Sequence, residues 1–466
     1  MAKAHEKPRV VVLPELCKGC GRCLESCPRH GIALGTEVNQ ASGYIPIVID
    51  YDVCNHCGLC ISACPEPYGL TNDPYVLENP EKLFGERPRS IRQPDTIPPR
   101  RIPLPKCEPL VLKCNHAAAI GALLAGCRHV YGYPITPSTE GAELMAKLLP
   151  RLNGVFLQAV SEIATVNHMY GCGGAGLPTM TFTSSPGFSL MLEGISYMIG
   201  AEVPGVFINV MRPGPGLGYV GSEQSDIKLA CRGLGHGNTH AIVLSPTTPQ
   251  EMLELTMKAF ELSFKYRNPV VVAPDGYMGQ ISGKVELPDH MIEPGLPDWA
   301  VWGDGAHRNN LINSIFQDYD ELELHNEKLN EKYRRMSEDE QRATTFCTDD
   351  ASVVIIACNT PARTAKSAVA HLRREGVSVG LFQPVTIWPF PIDKLKLVLE
   401  HARRVVVVEA SAGQLEDELR LALSHAGMHD IEIHHVRRMG GNLPEEHDVV
   451  EAVHELIKVS DGKRVL

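Results

Sequence analysis

The sequence predicts an α/β protein in which a small, cysteine-rich α+β domain precedes two doubly wound α/β domains. One cysteine pattern occurs twice within the first 64 residues, and short apolar runs then alternate with helical stretches along the rest of the 466-residue chain. Alternation of strand and helix patterns is typical of a parallel sheet with helices on both faces. Prolines are dense between Asn79 and Pro105, which separates the two regions.

These patterns divide the chain into five segments. We expect a small domain at 1–75, a Pro- and Arg-rich linker rather than a folded element at 76–106, a first α/β domain at 107–282, a connecting segment with an exposed charged helix (322–342) at 283–350, and a second α/β domain at 351–466.

Strands are predicted wherever short apolar runs are bounded by turn residues. In the small domain they lie at Val10–Leu13 and Tyr44–Asp50. In the first α/β domain they lie at Val130–Tyr133, Val155–Val160, Thr179–Thr183, Val206–Val210, Ala241–Leu244 and Val270–Ala273, with helices at Thr139–Leu149, Glu162–Tyr170, Phe188–Ile199 and Pro249–Tyr266. In the second they lie at Ser352–Cys358, Val377–Phe382, Val405–Glu409 and Ile431–His435, with a helix that Thr360 caps and Gly376 ends.

Each cysteine motif reads CxxCxxCxxxCP, which is the spacing of two [4Fe-4S] clusters. Because the fourth Cys of each motif ligates the other cluster, two ligand sets follow: Cys17, Cys20, Cys23 and Cys64 for cluster one, and Cys54, Cys57, Cys60 and Cys27 for cluster two. A zinc site is the alternative, but zinc motifs pair two CxxC units and do not need a third evenly spaced Cys. His56 is expected to be a solvated loop residue without a role.

Composition narrows the class of protein. The 44% hydrophobic and 21% charged fractions are those of a soluble globular protein, and the net charge of −11 argues against a nucleic-acid partner. The apolar runs are too short to span a membrane and no signal peptide is visible, so a cytoplasmic location is expected. The other cysteines are expected to be buried small hydrophobes: Cys107, Cys114, Cys127, Cys172, Cys231, Cys347 and Cys358.

Three polar residues directly follow predicted strands of the first α/β domain. They are Thr136, Glu162 and Arg212, and ligands of open α/β sheets bind at this edge. Their alternative roles are helix capping for Thr136, a negative charge that complements a helix N-terminus for Glu162, and a surface cation for Arg212. Together they suit a carboxylate-bearing substrate and a charged cofactor.

The glycine motifs predict no dinucleotide site. Gly171, Gly173 and Gly176 follow a helix, and prolines interrupt the Gly216–Gly221 match, which we interpret as a mobile active-site loop around Arg212. Gly303–Gly305 resembles the start of a thiamine diphosphate motif, but Asn309 and Asn310 follow too soon, so we expect no diphosphate anchor in this chain.

From about Lys113 onward the chain resembles the alpha subunit of the 2-oxoacid:ferredoxin oxidoreductases, which use thiamine diphosphate, and its N-terminus resembles a fused ferredoxin. The resemblance covers about three quarters of the chain and rests on Tyr133–Ser138, Ser161–Ala164, Ser185–Leu190, Asn209–Arg212, Gln224–Asp226 and Trp388–Pro391. It implies a pyrimidine-type first α/β domain and a transketolase C-terminal-like second one.

The resemblance implies roles for the three residues. Glu162 would be the catalytic, cofactor-contacting carboxylate at N1′ of the aminopyrimidine, and Thr136 and Arg212 would bind the carboxylate of the 2-oxoacid. A separate beta subunit would bring thiamine diphosphate and Mg²⁺, with a gamma subunit beside it and two copies of each subunit in the complex.

The implied reaction converts a 2-oxoacid and coenzyme A reversibly to acyl-CoA and CO2, and electrons leave through the two clusters to ferredoxin or another acceptor. The loop around Arg212 favours a branched-chain substrate such as 3-methyl-2-oxobutanoate, with 2-oxoglutarate or an aromatic 2-oxoacid as alternatives. A non-catalytic electron-bridging subunit is the competing hypothesis. A third hypothesis, a nicotinamide dehydrogenase, requires nucleotide binding, and the glycine motifs predict none.

Overall fold

The structure, a computed structural model, describes residues 8–40, 42–66, 68–78, 96–307 and 309–462. The chain divides into two compact units, Met1–Arg92 and Gln93–Leu466. The five predicted segment boundaries stay predictions, and residues 79–95 of the predicted linker lie outside the described residues. No helix within the described ranges combines the length and apolar content that a bilayer crossing requires.

The N-terminal unit consists of short elements that repeat around the two cysteine motifs. Two antiparallel pairs form its sheets, β1 (Val11–Val12) with β4 (Leu70–Thr71) and β2 (Ile32–Leu34) with β3 (Ile47–Ile49). Its helices are α1 (Arg22–Glu25), α2 (Leu59–Ala63) and α3 (Pro74–Glu78). The first two each follow a glycine with positive φ, Gly21 at 79° and Gly58 at 83°, where other residues would be strained.

The first sheet of the second unit contains the six strands predicted for it, with ends shifted by at most two residues. In spatial order β18-β11-β12-β10-β9-β7-β8, its strands are parallel except the edge strand β18. They are β7 (His129–Gly132), β8 (Val155–Gln158), β9 (Thr179–Thr183), β10 (Gly205–Asn209), β11 (Ile242–Leu244), β12 (Pro269–Val272) and β18 (Thr386–Trp388).

Helices cover both faces of this sheet, and four of them correspond to predicted helices. They are α4 (Cys114–Leu124), α5 (Thr139–Leu148), α6 (Glu162–Gly174), α7 (Ser185–Gly200), α8 (Ile227–Arg232), α9 (Pro249–Tyr266) and α10 (Gly276–Gln280), with a 3-10 turn at Leu149–Leu152. Because β7 to β10 are parallel, α5, α6 and α7 all begin at the same edge of the sheet.

The second sheet has the order β15-β17-β16-β19-β20. Its strands are β15 (Ala343–Phe346), β16 (Val353–Ile356), β17 (Val379–Pro384), β19 (Arg404–Glu409) and β20 (Glu432–Arg437), and its helices are α12 (Asn359–Arg374), α13 (Ile392–Val398), α14 (Gln414–His425) and α15 (Glu446–Gly462). Gly376, at φ 83°, follows the end of α12 as predicted. Thr360 lies inside the first turn of α12 instead of capping it, because its hydroxyl donates to Asp275.

Three expectations are wrong, two about connecting segments and one about cysteines. The predicted linker contains part of α3 and the strand β5 (Arg100–Pro103), which pairs with β14 (His290–Glu293). A further pair joins β6 (Leu110–Lys113) to β13 (Ser282–Val285). The charged helix exists as α11 (Tyr319–Asp339), but one face is buried: Leu329, Lys332, Tyr333 and Met336. Finally, Cys107 and Cys347 are exposed, whereas the other five non-motif cysteines are buried.

Candidate functional site

The thiols of the predicted cluster-two set line one cavity of the N-terminal unit. Cys27, Cys54, Cys57 and Cys60 face it together with apolar side chains such as Ile32 and Ile49. Thus the fourth Cys of the first motif meets three cysteines of the second, as the ligand exchange between motifs requires. Within the described residues no three His, Cys, Asp or Glu side chains are placed to hold a single metal ion. The four cysteines line one cavity, which suits a multi-iron cluster.

The cysteines near Cys23 are the other members of the predicted cluster-one set. Burial, and then the nearby thiols of Cys17, Cys64 and Cys20, raise the pKa of Cys23 to about 11. These three cysteines are the remaining members of the cluster-one set. Burial also raises the pKa of Cys60, with Cys54 and Cys57 acting in the same direction. Bound iron would replace the thiol protons. Its positive charge would then stabilise thiolates that otherwise repel one another at this spacing.

His56 is less solvated than predicted. Its Nδ1 accepts a hydrogen bond of 3.3 Å from the backbone N–H of Val10 and lies 3.6 Å from the Sγ of Cys54. The ring therefore connects the start of the N-terminal unit to the second cysteine loop, and the expectation of a free loop residue is wrong.

Glu162 is the first residue of α6 and is 5% exposed. Ser161 caps this helix by accepting a 3.2 Å hydrogen bond from the N–H of Ala164. The carboxylate of Glu162 lies beside the first turn of α7, where Gly187 leaves room for it and for Thr183. The Oγ1 of Thr183, which this space also accommodates, has no hydrogen-bond partner among the described residues.

Arg212 follows β10 and is 7% exposed, so it is not a surface cation. Its Nη1 donates to the carbonyl of Thr136 at 2.8 Å and its Nη2 to the carbonyl of Leu217 at 3.2 Å. Its Nε finds no partner within the described part of the chain. Each terminal nitrogen carries two protons, so donors remain for an anionic ligand. Thr136 therefore meets Arg212 as predicted, but through its backbone carbonyl, while its own side chain is exposed.

A buried polar cluster that the sequence did not identify supports Arg212. The hydroxyl of Ser185 donates to the carboxylate of Asp226 at 2.5 Å and accepts from the N–H of Arg212 at 2.9 Å. The amide of Asn209 donates to the same carboxylate at 2.9 Å. Burial raises the pKa of Asp226, against the lowering effect of these hydrogen bonds and of Arg212. The motifs that carry the resemblance contain all of these residues, but only the fold shows that they touch.

The glycine segments have local structural roles. Gly171 and Gly173 lie within α6 and do not follow it as predicted, because the helix continues to Gly174. Gly216 and Gly218 adopt positive φ in the loop whose Leu217 carbonyl binds Arg212. The carboxylate of Asp304 accepts from the backbone N–H groups of Ala306 and His307, so it is committed to its own turn.

Three family profiles match the sequence. Residues 16–67 match the 4Fe-4S dicluster domain, residues 120–343 the thiamine diphosphate-binding domain of pyruvate flavodoxin/ferredoxin oxidoreductase, and residues 351–449 the pyruvate:ferredoxin oxidoreductase core domain II.

Curated relatives and a solved structure agree with these profiles. The chain is 45% identical over 348 residues to the ketoisovalerate oxidoreductase subunit VorB of Methanothermobacter thermautotrophicus, covering 74% of this chain and 97% of that one. It is 34% identical over 364 residues to the 2-oxoglutarate synthase subunit KorA of Methanocaldococcus jannaschii, covering 73% and 97%. A 2-oxoglutarate:ferredoxin oxidoreductase from Magnetococcus marinus, solved with 2-oxoglutarate, coenzyme A and succinyl-CoA, matches with a TM-score of 0.67 and 26% identity over 75% of this chain and 65% of that one.

Proposed function

This chain belongs to the 2-oxoacid:ferredoxin oxidoreductase family, and we propose that it is the subunit of a branched-chain 2-oxoacid oxidoreductase that supplies Glu162 and Arg212 to the reaction site. A 2-oxoacid anion and the thiol of coenzyme A become acyl-CoA, CO2, one proton and two electrons. The electrons leave through the two [4Fe-4S] clusters of the N-terminal unit, one at a time, to ferredoxin or another acceptor.

The buried carboxylate of Glu162, which lies beside Gly187, carries this proposal. Its surroundings fit the aminopyrimidine of thiamine diphosphate, because they offer an acceptor for a ring N–H and a glycine that leaves space beside it. Thiamine diphosphate, when bound, supplies the nucleophilic carbon and the electron sink of the reaction. Glu162 would hold the proton at N1′, and burial excludes water from it.

Arg212 supports recognition of the 2-oxoacid carboxylate. Two of its N–H groups are bound to carbonyls, which aims the guanidinium, and its remaining donors suit a carboxylate. The adjacent loop, residues 213–221, contains Leu217, Tyr219 and Val220 and no charged side chain. A second carboxylate, as in 2-oxoglutarate, would find no cation in this loop, so an apolar branched side chain is favoured.

The surface around Glu162 supports a partner subunit. Val160 is 89% exposed, and Ile163 and Leu190 are each about half exposed. Large apolar side chains around a buried carboxylate favour coverage by protein. We assign this face to a beta subunit that brings thiamine diphosphate and Mg²⁺, within a cytoplasmic complex that also contains a gamma subunit and two copies of each.

The test uses the complex of this chain with its partner subunits. Reduction of methyl viologen is measured with coenzyme A and each of pyruvate, 2-oxoglutarate, 3-methyl-2-oxobutanoate, phenylglyoxylate and indolepyruvate. We expect the highest kcat/KM with 3-methyl-2-oxobutanoate. Activity with 2-oxoglutarate alone would contradict the proposed substrate.

The variant Glu162→Gln tests the catalytic role in the same assay. We expect a loss of at least about 100-fold, because an amide cannot hold the N1′ proton in the same way. Glu193→Gln, which changes an exposed glutamate of α7, is the matched control and should retain activity. Unchanged turnover in Glu162→Gln would favour the electron-bridging alternative.

A further inference from the structure

Resting on the proposed role of Arg212, we propose that the segment Gln224–Asp226 is a positioning element for that arginine, and that the second α/β domain anchors it. The segment binds Arg212 at one end and the second sheet at the other. Gln224 and Asp226 would thus determine the affinity for the 2-oxoacid without touching it.

Neighbouring side chains bind the backbone of Arg212. Ser185 accepts from its N–H at 2.9 Å, and the hydroxyl of Ser225 donates to its carbonyl at 2.9 Å. Both polar groups of this peptide backbone are therefore bound by neighbouring side chains. Asp226, 7% exposed, orients Ser185 by accepting its hydroxyl proton. Asn209, fully buried at the end of β10, holds the same carboxylate oxygen.

The second sheet anchors the segment Gln224–Asp226. In the second sheet, β16 continues to β17 on one side, and the chain then crosses to β19 on the other side of β16. The strand order therefore reverses between β16 and β19, and ligands of open α/β sheets occupy the crevice at such a point. Here the crevice holds the side chain of Gln224, which is fully buried.

The contacts of Gln224 satisfy its amide. Its Oε1 accepts from the N–H of Ala410 at 2.8 Å, just after β19. Its Nε2 donates to the carbonyl of Cys358 and to Oδ1 of Asn359, each at 3.1 Å, just after β16. Its backbone N–H donates to the carbonyl of Ala410 at 2.7 Å. A side chain of the first α/β domain thus fills the position that a ligand takes in other open α/β sheets. The second domain therefore holds the segment Gln224–Asp226 in place.

Displacement of Arg212 is expected to lower the affinity of the enzyme for the 2-oxoacid more than it lowers kcat. Its guanidinium is aimed by two fixed carbonyls, so a shift of its backbone misplaces the remaining donors. Weaker ground-state binding raises KM, whereas kcat depends on Glu162 and the cofactor.

The experiment measures KM for 3-methyl-2-oxobutanoate and kcat in the assembled complex, with the melting temperature and the cluster EPR signal as checks of folding. Gln224→Met removes the amide at constant length. Asp226→Leu removes the acceptor at similar volume, and Asp226→Asn retains an amide oxygen able to accept both hydrogen bonds. Gln341→Met is the matched control, because Gln341 also joins two elements, α11 and α13, through its amide, and its partners Ser337 and Asp393 are not among the residues that hold Arg212.

We expect KM to rise about tenfold in Gln224→Met and Asp226→Leu with kcat changed less than about threefold. Asp226→Asn should restore KM, and Gln341→Met should lower only the melting temperature. If Gln224→Met does not assemble, the Asp226 pair decides alone. Unchanged KM in Asp226→Leu, or equal losses in Asp226→Leu and Asp226→Asn, would overturn the inference. Arg212→Lys separates the two proposals: if it leaves KM unchanged, the substrate-binding role of Arg212 fails instead.

Discussion

Gly187 and Glu162 are so close that a β-carbon on the glycine would lie 2.6 Å from Oε1 of Glu162. The same β-carbon would lie 2.5 Å from Oγ1 of Thr183, and separations below 3.0 Å require movement. Because Thr183 is fixed in the sheet, the carboxylate of Glu162 would have to move. The carboxylate of Glu162 can therefore occupy its position only because residue 187 is a glycine.

The variant Gly187→Ala is expected to lower oxoacid-dependent viologen reduction about 100-fold, since displacing a reacting group by about 1 Å costs that much. The cluster EPR signals should be unchanged. Gly171→Ala is the control, because a β-carbon there meets no atom within 4 Å. This control should keep full activity and gain about 0.5–1 kcal/mol in helix stability. Equal activity in the two variants would show that the position of Glu162 is unimportant.

The exchange of cysteines between the two motifs can be tested by iron content. If Cys20 and Cys64 bind the same cluster, Cys20→Ala/Cys64→Ala should retain about half of the iron. Cys20→Ala/Cys27→Ala removes one ligand from each cluster and should lose nearly all of it. The iron and sulfide contents of both variants are measured, together with the EPR spectrum of the reduced protein. More iron in Cys20→Ala/Cys27→Ala than in Cys20→Ala/Cys64→Ala would mean that each motif binds its own cluster.

Stability at mildly acidic pH should depend on His240. Its ring stacks on Trp388 at 4.6 Å, and burial, followed by Arg232, lowers the pKa of His240 to about 4. The folded state thus favours the neutral ring, whereas in the unfolded chain the ring takes up a proton near pH 6.5. As pH falls from about 6.5 to 4, the unfolded state binds more protons and the free energy of unfolding decreases.

The variant His240→Phe should therefore lose less stability over this pH range. We expect its melting temperature to fall at least about 2 °C less than that of the wild type between pH 6.5 and 4.5. His429→Phe, at an exposed position, should follow the wild type. Parallel curves for His240→Phe and wild type would assign the acid sensitivity to other groups.

Local patterns in the sequence were sufficient for the cysteine motifs, the parallel strands of both sheets and the family. Spacing of cysteines and alternation of apolar runs are properties of neighbouring residues, so they can be read without knowing the fold. The position of Glu162 and Arg212 after parallel strands followed from the same patterns, because parallel strands end at one edge. Their catalytic and binding roles remain proposals.

Only the tertiary structure decided which distant residues meet. The edge strand Thr386–Trp388 pairs with the first sheet although it follows the second sheet's strand β17, and one face of the charged helix α11 is buried. Gln224 lies in the crevice of the second sheet, 134 residues before its partner Cys358. Such contacts depend on shape and hydrogen bonding between elements far apart in the chain, and no periodicity encodes them. The sequence by itself thus determined the cysteine motifs and the parallel strands of both sheets, whereas packing decided how Arg212 is held.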